Sequence, residues 1–360
     1  MHSPLSHFRI AGIAVTTGSI TRDFFADGKA QGINQETLDR LSRTIGFKTR
    51  KVAGPKITAL DLCEEATHRL LDEMSIDCSS IDAVIFVTQT PDHSQPNNAS
   101  LLHGRLGLNK SAIAFDLSLG CSGWVYGLHQ AGLLCAHAGF GRVLLCAGDT
   151  LSRLTNPHDR AIDPIFGDAG SVTLIEKTGD HSVTHFVLGA DGKGSSSVIV
   201  PAGGARRPAS AETRQEVKEP DGNLRHAENL QMDGAEVFNF TLREVPHAIQ
   251  AVMKSANFNA SDCEALVLHQ ANRFIVETLA SKCGFKPHQV PASTFTKFGN
   301  QSSASIPAVM CDALADTLRQ KSVKIVGCGF GVGLSWAAFA GEMGPVVVLP
   351  IQSYPASDES

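Results

Sequence analysis

The stretch AIAFDLSLGCSGWVYGLHQAG, residues 112–132, passes from a short apolar run through a glycine-flanked cysteine into a longer apolar run with no lysine, arginine or carboxylate after Asp116. Locally it reads as a buried strand, a tight glycine turn and a buried helix. A second stretch, VPASTFTKFGNQSSASIPAVM at 290–310, repeats that order, with Gly299 in the place of Gly120. The match extends in both directions. VIFVTQT (84–90), NASLLHGRLGL (98–108) and RVLLCAG (142–148) surround the first copy; ALVLHQ (265–270), ANRFIVETLASKCGF (271–285) and VKIVGCG (323–329) surround the second.

Self-similarity at an offset of about 180 residues marks a duplicated unit. Alternation of strand and helix signals marks α/β architecture. The expected fold is therefore α/β, made of two similar halves, 1–180 and 181–360, whose strand ends face one cleft. Strands are expected at 83–90, 112–119, 142–149, 265–270 and 323–328. A helix is expected over 60–75, where Leu60, Cys63, Leu70, Leu71 and Met74 recur at helical spacing.

Composition narrows the function. A chain of 360 residues with 42% hydrophobic side chains can furnish a large core. A net charge of -5 gives no global basic field, which argues against nucleic-acid and membrane-surface partners. The first residues, MHSPLSHFRIAGIAV, lack the pattern of a secretory leader, and no run approaches the roughly 18 apolar residues of a spanning helix. A cytoplasmic protein is expected. None of the nine cysteines is spaced C-x-x-C, so no metal site is expected.

A cysteine attacks an acyl group as thiolate, and an ordinary thiol with a pKa near 8.5 is mostly protonated at neutral pH. Cys121 falls at the first turn of the helix, where a charge equivalent of roughly +0.5 favours the anion and free backbone N–H groups can hold an oxyanion. Gly120 and Gly123 leave room for a substrate. The alternative is a packed thiol in a tight turn. Two further residues weigh against it: His269 ends a strand in VLHQAN, and Asn300 follows a glycine at the start of another helix in KFGNQSSASIP. All three sit at turns related by the repeat.

Six stretches, in order, carry a family resemblance: DLSLGCSGWVYGL, FGDAGSVTLIE, MDGAEVFNF, VLHQANRFI, FGNQSSASIP and GCGFGVGLSW. Together they resemble the signatures of β-ketoacyl-acyl carrier protein synthase III, of the thiolase fold. The resemblance implies a layered αβαβα core of two similar halves and a homodimer. It implies that Cys121 is the nucleophile for an acyl thioester, and that His269 and Asn300 bind the carbonyl of a malonyl thioester on acyl carrier protein as two neutral hydrogen-bond donors. Decarboxylative Claisen condensation would give a 3-oxoacyl product. The N–H groups of Cys121 and Val332 would form a second oxyanion hole. Phe166 would line the acyl pocket, and Gly234 and Asn272 the pantetheine tunnel. No cofactor is implied; acyl-coenzyme A or an acyl carrier protein thioester enters as substrate. A same-fold enzyme that passes the acyl group to a different carbon, nitrogen or oxygen nucleophile is the competing expectation.

The chain also departs from the family pattern. Arg40 and Thr44 stand where a tryptophan and an arginine commonly hold the coenzyme adenine, Ala235 and Asn239 replace an asparagine and a carrier-docking lysine, and Arg273 lies one place early. Gln95 replaces the phenylalanine that in the family reaches across the dimer to the floor of the partner's acyl pocket, which implies a starter larger or more polar than acetyl. Arg40, Arg43, Lys48, Arg50, Lys51 and Lys56, with Lys282 on a later helix, fit either an acidic carrier protein or phosphate, or a solvated face. The stretch 201–230, polar and proline-bearing, reads as an inserted loop, solvated or capping the entrance.

Overall fold

The computed structural model describes residues 2–355. Two sheets form its framework. In the first, Ala83–Val87 runs parallel to Arg142–Asp149, which pairs antiparallel with Ala169–Lys177, itself antiparallel to Phe8–Thr17. In the second, Ala265–Leu268, Val323–Gly331, Ser335–Met343 and Thr184–Ala190 follow in the same order with the same directions. The duplication inferred from glycine spacing is thus present in strand order and polarity.

The apolar strands between glycines are buried on both faces, so each sheet needs helices on either side. Helices Gly123–His137 and Ser305–Ala313 fill the space between the sheets, with Trp124, Val125, Leu128, Val309 and Met310 packed against side chains of both. Ala59–Met74 and Asn98–Arg105 cover the outer face of the first sheet, and Gly234–Ala256 and Arg273–Lys282 that of the second. This is the αβαβα layering of the thiolase fold. The expected helix over 60–75 starts at Ala59, because Thr58 and Asp61 form a reciprocal capping box.

The copies differ at one edge. Ile113–Leu117 pairs beside Ala83–Val87 at the rim of the first sheet, but the matching VPAS segment forms no strand. Pro291 falls within that segment and has no N–H to donate to a ladder. The termini cross over. His2–Leu5 pairs with Thr184–Ala190 in the second sheet, whereas Val347–Val348 and Gln352–Ser353 pair with Phe8–Thr17 in the first.

Much of 201–230 is exposed, but it is anchored. Arg225 pairs with the buried Asp159, Asn156 donates to Glu216 (2.8 Å), and the Leu230 N–H donates to the Leu154 carbonyl (2.7 Å). No helix among the described residues is long and apolar enough to cross a membrane.

Candidate active site

Cys121 sits between the strand Ile113–Leu117 and the central helix Gly123–His137. The Gly123 N–H closes the turn onto the Gly120 carbonyl at 2.7 Å. The space that Gly120 leaves is taken by Gln89 rather than by substrate: its carboxamide atoms lie 2.6–2.7 Å from where a Cβ on Gly120 would stand.

Asn300 is fixed from the opposite half. Gly299 has φ +79°, the left-handed region that favours glycine, and a Cβ there would meet the Gly167 nitrogen at 2.9 Å. That turn lets Asn300 run beside Phe166: the Asn300 N–H donates to Ile165 (2.9 Å) and the Gly167 N–H donates to Asn300 (3.0 Å). The Asn300 Oδ1 accepts the Ser302 N–H at 2.9 Å, which leaves Nδ2 as the side chain's donor.

His269 follows the strand Ala265–Leu268, its N–H donating to the Cys328 carbonyl at 2.9 Å. Its Nδ1 lies 2.7 Å from Ser305 Oγ, and that hydroxyl donates to the Ser302 carbonyl at 2.8 Å. With its one proton so committed, Ser305 accepts from Nδ1–H, and the neutral ring keeps its lone pair on Nε2. In that tautomer Asn300 donates and the imidazole accepts; in the other, which fits the same 2.7 Å contact, Nδ1 accepts from Ser305 and Nε2 donates.

The three side chains, 179 positions apart at the extremes, line one cavity of about 170 Å³. Phe166, Gly234, Asn272 and Val332 line it with them. Asn272 also caps the helix Arg273–Lys282 by accepting the Ile275 N–H at 2.9 Å. Val332 is not among the residues at positive φ, so a side chain there is unstrained. Its carbonyl accepts from Ser335 Oγ (2.8 Å), which leaves Ser122 Oγ to donate to Ser335 (2.7 Å) and ties the GFGVG loop to the cysteine turn.

Burial pushes the Cys121 thiol up to about 12, reinforced by the nearby Asp149 carboxylate and opposed by a hydrogen bond to Ser302. The expected resting thiolate is therefore corrected. The helix begins two residues further on, at Gly123, and loss of water acts against the thiolate. Burial likewise pushes His269 down to about 3. The unfolded imidazole titrates near 6.5, so the unfolded chain binds the extra proton first. The stability contributed by the neutral ring is complete above pH 6.5 and is lost as pH falls towards 3. His269→Gln should flatten the pH dependence of the urea midpoint in that window, if the variant remains folded at pH 7.

Other expected positions fall elsewhere. Gln95 is exposed and lies outside its own subunit's cavity lining, as a residue that reaches into a partner's pocket would. Arg273 is also outside the lining, because its Nη1 donates to the Arg43 carbonyl at 3.0 Å and ties two helices together. Arg50 is no docking residue: it is buried, paired with Asp163 at 2.6 Å, and its Nη1 donates to the carbonyls of Asp163 and Phe166. Arg50→Ala would strand the Asp163 carboxylate and is expected to cost about 3–5 kcal/mol in denaturant unfolding. Sequence reasoning passed over Gln89, Leu151, Ile165, Val198, Leu230 and Phe330, which are also part of the wall. Gln89, at the end of a strand beside the repeat-related turns, was the one with a positional signal.

Profiles of the 3-oxoacyl-[acyl-carrier-protein (ACP)] synthase III family match residues 115–192 and, for its C-terminal part, 253–343. The chain is 33% identical to the β-ketoacyl-[acyl-carrier-protein] synthase III of Caldanaerobacter subterraneus, over 91% of this chain and 96% of that one. It is also 33% identical to that of Symbiobacterium thermophilum, over 85% and 90%. A crystal structure of a 3-oxoacyl-(acyl-carrier protein) synthase from Burkholderia xenovorans superposes with a TM-score of 0.91 at 35% identity, covering 98% of this chain and 99% of that one. With fold, cavity and relatives in agreement, the chain belongs to the β-ketoacyl-acyl carrier protein synthase III family of acyltransferases.

Proposed function

We propose that Cys121 takes an acyl group from a thioester donor and passes it to a malonyl thioester on acyl carrier protein. The observation that carries this reading is the joint lining of one cavity by the Cys121 thiol, the His269 ring and the Asn300 amide. In the first half-reaction the sulfur forms a bond to the acyl carbon and the donor thiol leaves. In the second, the malonyl carbon–carbon bond breaks, carbon dioxide leaves, and the electron pair becomes an enolate whose carbon attacks the acyl-cysteine. The carbon–sulfur bond to Cys121 then breaks, the 3-oxoacyl product departs, and the sulfur, released as thiolate, regains its proton from solvent.

Asn300 Nδ2 donates to the malonyl thioester oxygen as charge develops there. For His269 to donate beside it, the proton must move to Nε2. In that tautomer Nδ1 has given its proton up to solvent and Nε2 has taken one from solvent, and the Ser305 hydroxyl turns from the Ser302 carbonyl to donate to the bare Nδ1. The N–H groups of Cys121 and Val332 receive the oxyanion on the acyl side.

The strand Ile113–Leu117 ends its sheet with one ladder side unpaired and Ile113 40% exposed, which suits pairing with a second copy across a two-fold axis. Arg40, Arg43, Lys48 and Lys56 are exposed and suit an acidic carrier protein in the cytoplasm. Affinity for the carrier should then fall steeply between 50 and 300 mM salt, as the Debye length shrinks from above about 10 Å to below 8 Å. Labelled malonyl thioester tests the whole reading. Carbon dioxide release matched by a two-carbon-longer product supports it; transfer of the acyl group without release favours a different nucleophile.

A further inference from the structure

Attack of the Cys121 thiol on an acyl thioester releases a proton that needs a destination. That thiol is protonated at rest, and His269, pushed down to about 3, is a poor acceptor. The sulfur's hydrogen-bond contact is with Ser302 Oγ, at 3.8 Å. Ser302 is an unusual residue: it is 1% exposed and holds φ +47°, a backbone angle that non-glycine residues seldom adopt. Gln89, seated on Gly120, donates Nε2–H to the Ser302 oxygen at 3.0 Å, so the serine proton is free to point elsewhere. Within its reach lies the carboxylate of Asp149, also 1% exposed.

Asp149 receives hydrogen bonds from the Gln89 N–H (2.7 Å), Ser303 Oγ (2.8 Å) and Thr88 Oγ1 (3.3 Å), all uncharged groups. The titratable groups that sense its charge are Cys63, on the outer helix, and Cys121. Burial raises the Asp149 carboxyl above the ordinary carboxylate range, which makes it the better proton acceptor of the two candidates beside the thiol. An ionised Asp149 also opposes a thiolate at Cys121, so the cluster favours one negative charge and one shared proton.

We propose that Ser302 is a catalytic residue that carries the Cys121 proton to Asp149 as the acyl donor is attacked. Gln89 and Asp149 act through Ser302 and are its positioning residues. As sulfur bonds to the acyl carbon, the thiol proton passes to Ser302 Oγ and the serine proton passes to Asp149. When the tetrahedral intermediate collapses, the donor carbon–sulfur bond breaks and the leaving thiolate takes a proton from Ser302. Asp149 returns its proton to the serine, and the relay ends as it began.

The proposal deepens the acyl-transfer reading and rests on it, but its test reads the thiol directly. Iodoacetamide alkylation of Cys121, followed by mass spectrometry from pH 6 to 11, reports thiolate formation without any acyl substrate. Ser302→Gly removes the hydroxyl while tolerating the left-handed backbone, and Asp149→Asn keeps the shape of the carboxylate. Both should slow single-turnover acylation by about 10²-fold, the scale of a lost proton-transfer partner, and both should change the alkylation profile. Decarboxylation of malonyl thioester, which uses Asn300 and His269, should stay within a few-fold of the parent enzyme. Gln89→Met, which keeps the volume, should show a smaller effect of the same kind. Parental alkylation and acylation in either Ser302→Gly or Asp149→Asn overturns the relay. An equal fall of decarboxylation and acylation also overturns it, because that marks a merely structural role. Altered alkylation in an enzyme that never acylates would retain the cluster as a thiol-tuning device and reject the acyl-transfer reading beneath it.

Discussion

Cys121→Ser is expected to carry no acyl adduct after incubation with acyl-coenzyme A, while the parent enzyme gains one acyl mass on Cys121. The serine hydroxyl is a far weaker acid than even this raised thiol, and the cavity holds no resting base strong enough to ionise it. Loss of turnover should be on the order of 10⁶-fold, the scale reached when a hydrolase loses its nucleophile. The substitution keeps the shape of the turn, whose closing contact is made by Gly123 and Gly120 backbone atoms. An acyl adduct retained at wild-type level elsewhere in the chain would place the nucleophile outside this cavity.

Asn300→Ala separates the two half-reactions. Acylation of Cys121 should persist, whereas condensation should fall by about 10²- to 10³-fold, the scale of one lost oxyanion donor. Backbone bonds to Ile165 and Gly167 hold the Asn300 turn and survive the change. What disappears is the Nδ2 donor, together with the Oδ1 acceptor of the Ser302 N–H. Asn300→Asp retains that acceptor without the donor. If it also loses condensation while still forming the acyl adduct, the donor is the decisive group. Full condensation in either variant would remove Asn300 from the chemistry.

The sequence made legible whatever local pattern and repetition control. Paired glycine turns at 120 and 299 predicted matching halves, and the strand polarities agree. The cysteine, histidine and asparagine could be placed in one pocket because each ends or follows a repeated element. Properties set by distant partners were hidden. Arg50 looked like a surface base because Asp163 is 113 residues away, and Ser302 drew no notice because its thiol contact spans 181. The position of Cys121 before a helix was readable, but not the depth of burial that raises its thiol. Pro291 was visible throughout, yet the similarity of the two copies hid its power to break the edge strand.

The crossed termini bear on how the pocket admits its guests. The first and last described strands are each sewn into the opposite half, so the two lobes are latched and resist swinging apart like a clam shell. Strand pairing across the halves favours entry and exit through side chains and surface segments at the rim over a hinge between the lobes.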